Sequence, residues 1–287
     1  MLPSFLRRTV LSALLLLAGL GLSAPRAVAD ENLWGYVYGS DTLPKGRSEI
    51  YAWWTTRSDK ADGEYRGTDV KFEFEHGFSD RFQSSLYLNY RGHHIEGVTG
   101  YDDLDVFGFD GAQVSMKYRL TSPYKDAIGL ALYFEPGFSL RDKITGGRVQ
   151  EWEFETKIIA QKNFMEDRLA LATNLTVEQE FERDKGTNDF EGELIGEWTT
   201  GLSYRFAPGW FAGGEVRAHT EFPDMDLANQ EHAAWFAGPN LHYGTRKWWA
   251  TVSVMPQIGG WPHADGSKLH LDEHERIETR LKLGLNL

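Results

Sequence analysis

From Glu49 to the last residue, apolar and polar side chains alternate one by one, and the alternation restarts twelve times. "DVKFEFEHGF" sets Val70, Phe72, Phe74, His76 and Phe78 on one side and Lys71, Glu73 and Glu75 on the other. "AQVSMKYRL" does the same with Ala112, Val114, Met116, Tyr118 and Leu120 against Gln113, Ser115, Lys117 and Arg119. A period of two is the signature of a strand with one wet and one apolar face, and helical periodicity is nearly absent. The connections sort into two kinds. "SDR", "TSPYKD", "MED", "APG" and "GTRK" are tight turns, while residues 57–66, 92–110, 140–150, 183–191, 223–231 and 259–272 are long and polar. Short and long alternate throughout, which places all turns on one rim and all loops on the other.

A soluble sandwich or lipocalin-like barrel also alternates. Two features favour a lipid-facing wall instead. The apolar rows end in aromatics, with Phe78 and Phe82, Phe206 and Trp210, and Tyr243 and Trp248 flanking three of the turns. Rings at both ends of an apolar band suit the headgroup level of a bilayer. The rows also run about nine to eleven residues, the length of a tilted crossing. The pattern therefore predicts an all-β fold, an antiparallel up-and-down transmembrane β-barrel of twelve strands. The closing "RLKLGLNL" resembles a barrel-insertion signal, except that it ends on Leu287 rather than Phe or Trp.

Export is expected on independent grounds. Arg7 and Arg8 precede the apolar run Val10–Ala24, and Ala27-Val28-Ala29 forms a small-x-small cleavage site before Asp30. That run is shorter than the ~18 residues of a spanning helix. The expected organisation is a cleaved signal at 1–29, a periplasmic lead-in or small plug at 30–47, and the barrel at 48–287. Losing Arg7, Arg8 and Arg26 takes the formal charge from −12 to −15, which argues against nucleic acid as a partner. The absence of cysteine excludes a disulfide framework. The expected partners are outer-membrane lipid and the barrel-insertion machinery, with a small polar solute in the lumen.

Between signal and first strand lies "GYVYGSDTLPKG". Pro44 fixes φ and Gly46 accepts a positive one, so "TLPKG" reads as a turn into the barrel wall. Leu33, Tyr36 and Tyr38 would pack under or inside the mouth, and a simple lead-in is the expected arrangement. "GYVYGSDTLPKGRSE" followed by "FEFEHGFSDRFQSSLYLNY" resembles a group of uncharacterised bacterial outer-membrane-type proteins. In that group a Y-x-Y…DTLPKG segment precedes the first strand. The resemblance is densest over residues 33–90; it implies a barrel and transfers no catalytic residue.

With the apolar rows outward, the expected lumen lining is Lys71, Glu73, Glu75, Lys117, Arg119, Glu135, Glu153, Glu155, Lys157, Glu178, Glu180, Glu197, Arg205, Glu215, Arg217, Glu278 and Arg280. Such a lining either knits a closed wall through ion pairs or conducts a polar or cationic solute. The expected role is a channel or binding barrel for a small polar solute. A closed barrel acting through its loops is the alternative. An enzyme is the lesser one, because His219 with Thr220 and Ser203 near Arg205 are the nearest catalytic fragments and share no nucleophile–base spacing. No cofactor or metal is expected. "HADGSKLHLDEHE" holds His263, Asp265, His270, Asp272, His274 and Glu275, donors for a divalent ion, but reads as a solvated acidic loop, as does His93–His94.

Overall fold

The computed structural model describes residues 32–185, 190–263 and 266–287. The expected signal at 1–29 and Asp265 lie outside these residues. Twelve strands follow in chain order: β1 (Ser48–Ser58), β2 (Glu64–Ser79), β3 (Phe82–Glu96), β4 (Leu104–Thr121), β5 (Gly129–Arg141), β6 (Arg148–Phe164), β7 (Leu169–Asp184), β8 (Phe190–Ala207), β9 (Trp210–Pro223), β10 (His232–Gly244), β11 (Trp248–Trp261) and β12 (Ile277–Asn286). Each pairs antiparallel with its chain neighbours, and β12 closes on β1 through ten register pairs from Glu49–Asn286 to Ser58–Ile277. Closure leaves no strand edge, the condition for a sheet in lipid.

The pleat settles which face is which. Phe72 and Phe74 are exposed outward while Glu73 and Glu75, which alternate with them, are buried inside, and Leu132, Ile158, Leu175 and Leu283 are likewise exposed on the outer wall. At the turn rim, Phe206, Trp210, Tyr243 and Trp248 form a continuous run of ring contacts 4.5–6.4 Å apart. Trp54, Trp152, Phe190 and Trp261 are exposed toward the loop rim. These are the two aromatic belts expected of a barrel in a bilayer.

The strands are longer than the apolar rows. They run 10–18 residues and grow almost entirely toward the loop rim. Residues 104–110, expected in a loop, are the first half of β4, and the connection between β3 and β4 shrinks from 92–110 to 97–103. Ladder hydrogen bonds do not require an apolar outer face, so the sheet continues where the membrane-facing pattern stops.

The N-terminal segment does not run beneath the mouth as a bare lead-in would. Residues 32–43 fold back inside the barrel, and Leu33, Trp34, Tyr36 and Val37 are buried. The turn at Pro44 then leads to β1: Arg47 N donates to Pro44 O at 3.0 Å, and Gly46 has φ +78°. The segment lies so close to β2 that a Cβ on Gly77 would sit 2.5 Å from Pro44 O.

Candidate functional site: an acidic cup above an inward-folded segment

The segment has no strand partner, so its backbone polar groups must be satisfied by side chains. Inward-pointing residues from around the wall do this. The Glu215 carboxylate accepts from the amides of Gly35 (2.9 Å), Tyr36 (2.7 Å) and Val37 (3.2 Å), and from the Ser253 hydroxyl. Asn174 pairs with Tyr38 as a strand would, accepting from its N–H at 2.7 Å and donating to its carbonyl at 3.0 Å. Gln161 accepts from Ser40 N and Gln83 from Leu43 N. Asn240 donates to Leu33 O, Thr251 to Asn32 O and Lys282 to Asn32 Oδ1. Trp34 is fully buried with Ala170, Ala172 and Phe211. Gly201 leaves room for the indole, since a Cβ there would approach Trp34 Nε1 to 2.5 Å.

The upper side of this layer is aromatic and cationic. Arg280 lies 4.0 Å from the centroid of Tyr36, and Lys282 lies 4.0 Å from that of Trp53. Tyr38 packs on Tyr133 at 5.2 Å. Tyr36, Tyr38, Trp53 and Arg280 floor a cavity of 410 Å³ that reaches to the loop rim, while Lys282 and Tyr133 face the smaller space beneath. Among the described residues lining it, eighteen are Asp or Glu and seven are Lys or Arg, so the cup is strongly negative.

The charges are unevenly paired around the wall. On β1–β4, Arg57 bridges Asp69 (2.9 Å) and Glu275 (3.4 Å), and Arg91 bridges Asp69 (2.8 Å) and Asp110 (3.3 Å). On β8, β9 and β12, Arg217 bridges Glu197 (2.7 Å) and Glu278 (2.6 Å). The wall of β5–β8 differs. Its register sets glutamates directly opposite one another: Glu135–Glu155–Glu178, Glu153–Glu180–Glu193 and Glu151–Glu182–Glu191. Directly opposed like charges destabilise a sheet; Lys157 pairs with Glu155, Gln113 and Ser139 donate to Glu153, and Tyr133 donates to Glu135.

Of the residues expected in the lumen, Lys71, Glu135, Glu153, Glu155, Lys157, Glu178, Glu180, Glu197, Arg217, Glu278 and Arg280 line the cup. Glu73, Glu75 and Lys117 line a 20 Å³ space beneath the floor. Glu215 is occupied by the segment, and Arg119 pairs with Asp41 toward the turn rim. Arg205 is half-buried at that rim and lines neither space. Residues absent from that expectation, Arg57, Asp69, Asp110, Glu151, Glu221 and His232, also line the cup. Most lie on strand extensions whose outer neighbours are not a clean apolar row. Ser203 and His219 are no nucleophile–base pair: their register partners, Gly213 and Glu197, put them six positions apart along the β8–β9 ladder, about 20 Å.

Residues 26–287 match the model described as "Family of unknown function (DUF6662)". The chain belongs to this family. No curated protein matches the chain in sequence. Among solved structures, it resembles the COG4313 outer membrane channel from Pseudomonas putida F1, at 12% identity and a TM-score of 0.60 over 91% of this chain and 100% of that one. It also resembles the β domain of the Bordetella autotransporter BrkA, at 12% identity and 0.54 over 84% and 99%. The NanC porin aligns at 11% identity and 0.53 over 84% and 100%. At these identities the likeness shows a shared fold, that of outer-membrane β-barrels.

Proposed function

We propose that this member of DUF6662 is an outer-membrane barrel for passage of a small polar solute, that it prefers cations, and that residues 32–43 plug it. The observation that carries the reading is the cup, where carboxylates outnumber lysines and arginines by more than two to one above the inward-folded segment. Its volume falls in the range of small-molecule sites, about 300–1,000 Å³. A wall of opposed glutamates lowers the energy of a cation in the lumen and raises that of an anion. The exposed apolar wall between two aromatic belts suits outer-membrane lipid, and insertion would use the barrel-insertion machinery. Loops then face outward and turns face the periplasm, so solute enters the cup from outside and leaves when the segment shifts. The similarity to an outer-membrane channel and a porin supports this non-enzymatic reading.

Planar-bilayer recording tests it. The protein lacking residues 1–29 is expected to conduct little or intermittently. Deletion of residues 32–43 is expected to open a steady pore with a cation-selective reversal potential. A steady anion-selective pore would overturn the charge argument. If the deleted protein inserts correctly and remains silent, the barrel is a closed one that works through its loops, the second reading, which the inward-folded segment favours.

A further inference from the structure

Four histidines meet at the mouth of the cup, from β9, β10 and the loop between β11 and β12. His219, His232, His270 and His274 are each at most 5% exposed. The ring of His232 lies 4.9 Å from that of His274 and 5.0 Å from that of His270. Glu221 lies between His219 and His232, its two oxygens 2.6 and 3.0 Å from their Nε2 atoms.

The partners of these rings fix where their lone pairs point. His232 Nε2 faces a carboxylate, which only accepts, so that nitrogen carries the proton and Nδ1 of the neutral ring holds a lone pair. His232 Nδ1 accepts from His274 Nε2 at 3.2 Å, and a metal ion would take the place of the proton between them. His270 Nδ1 lies 2.7 Å from the carbonyl of Pro262, so it too carries its proton. The lone pair on His270 Nε2 is then buried with no hydrogen-bond partner. Leaving such a group unpaired is costly. Two imidazole ligands on one tetrahedral zinc, each about 2.0–2.1 Å from it, stand about 3.3 Å apart. The His232–His274 separation matches that value. A hydrogen bond from a ligand histidine to a carboxylate, as from His232 to Glu221, is the usual outer shell of a metal centre.

The loop carrying two of these rings is anchored. The Gln257 amide donates to the carbonyls of His270 (2.9 Å) and Glu275 (3.2 Å) and accepts from His270 N at 2.7 Å.

We infer that His232, His270 and His274 bind one divalent first-row transition-metal ion at the mouth of the cup. His232 Nδ1 and His274 Nε2 are already placed for it; the His270 ring is stacked on that of His232 at 19° and must turn out of the stack, releasing Pro262 O, to bring its Nε2 in. Three nitrogen donors select zinc, nickel or copper over calcium or magnesium. His232 and His274 both line the cup, so the remaining position opens onto it. Bound there, the ion ties the β11–β12 loop to the wall at β10. A competing group exists on the outside, where Glu64, His94 and Glu96 place one donor atom each within 4.8 Å of one another. It is carboxylate-rich and mostly exposed, and it serves as the control.

The test is equilibrium zinc binding to the detergent-folded full barrel, stripped with EDTA and titrated against a chromogenic chelator at pH 7.5. It is independent of conductance, so its outcome is separate from that of the channel reading. One zinc per chain is expected. His232→Ala and His274→Ala are each expected to weaken binding by about tenfold or more, Glu221→Gln by about tenfold, and His94→Ala not at all. Heat-modifiable gel mobility identifies variants that still fold. Cobalt in the unmutated protein gives a second readout that needs no variant: intense visible bands of a tetrahedral nitrogen site are expected. Absence of saturable zinc binding, loss with His94→Ala alone, or only the weak bands of octahedral oxygen ligation would overturn the assignment.

Discussion

The lower and upper halves of this lumen are built from the same strands with the same alternation, yet one is filled and the other is open. Toward the turn rim the inward positions mix a few carboxylates and lysines, Glu73, Glu75, Glu215, Lys117 and Lys282, with amides, hydroxyls and aromatics such as Asn174, Gln161, Thr251, Asn240 and Trp249. These groups can donate and accept, so a length of irregular backbone packs among them with its polar groups paired. Toward the loop rim the inward positions carry glutamate, which when ionised only accepts. Glutamates cannot bond to one another without a proton or a cation between them, and the wall of β5–β8 stands apart. Whether a barrel interior is core or vestibule is thus set by donor–acceptor balance, at equal polarity.

The sharpest way to break that contrast is to remove the lower half's central acceptor. Glu215→Ala leaves three buried amides and the Ser253 hydroxyl without their partner. At about 1–3 kcal/mol for each of the four unpaired groups, docking of the segment is expected to weaken by about 4–12 kcal/mol. Hydrogen exchange at Gly35–Val37 would report this as lost protection while the strands stay protected. Retained protection would mean that Trp34 alone holds the segment.

The loop rim offers a pH test. Lys60, on the β1–β2 connection, is buried, which lowers its ammonium from 10.5 to about 8, and it donates to Asp272 O at 2.8 Å. Between pH 8 and 10.5 the undocked lysine holds a proton that the docked one has released. Docking of the β11–β12 loop should therefore strengthen as pH rises through that window, by up to roughly 3 kcal/mol, with the gain absent below pH 8. The protection factor of the His270 amide, compared with that in Lys60→Met, would show it. A falling difference would mean that the charged form is the one the loop prefers.

The smallest effect is expected in the cup wall. Glu180 stands opposite both Glu153 and Glu193. Glu180→Gln removes two like-charge contacts and is expected to stabilise the barrel by about 0.5–1 kcal/mol while lowering cation selectivity. A urea midpoint that falls instead would show that these carboxylates are already neutralised.

The barrel itself was legible in the sequence. The turn-rim ends of the strands, at Phe82, Leu169, Trp210 and Trp248, coincide with the starts of the apolar rows. Outer residues there meet lipid and leave a strict signal. The loop-rim ends were not legible, because β2 from Glu64 and β4 from Leu104 carry mixed outer faces under which ladder pairing continues. Alternation alone pointed the glutamates inward. It could not set Glu153 opposite Glu180, which depends on register across a turn. Nor could it bring His232 to His274, forty-two residues away, through a loop that folds into the mouth.

The inward segment also has a consequence for the order of assembly. Its partners come from β3, β6, β7, β9, β10, β11 and β12, and the bond from Lys282 to Asn32 spans 250 residues. That full set of partners does not exist until the last strand has met the first. Contacts so distant in sequence must pay loop-closure entropy before they return anything, so they form late. The first residues in the lumen are therefore the last to find their places. The ring is complete before Trp34 docks among Ala170, Ala172 and Phe211, and the proposed plug is the last part to be seated.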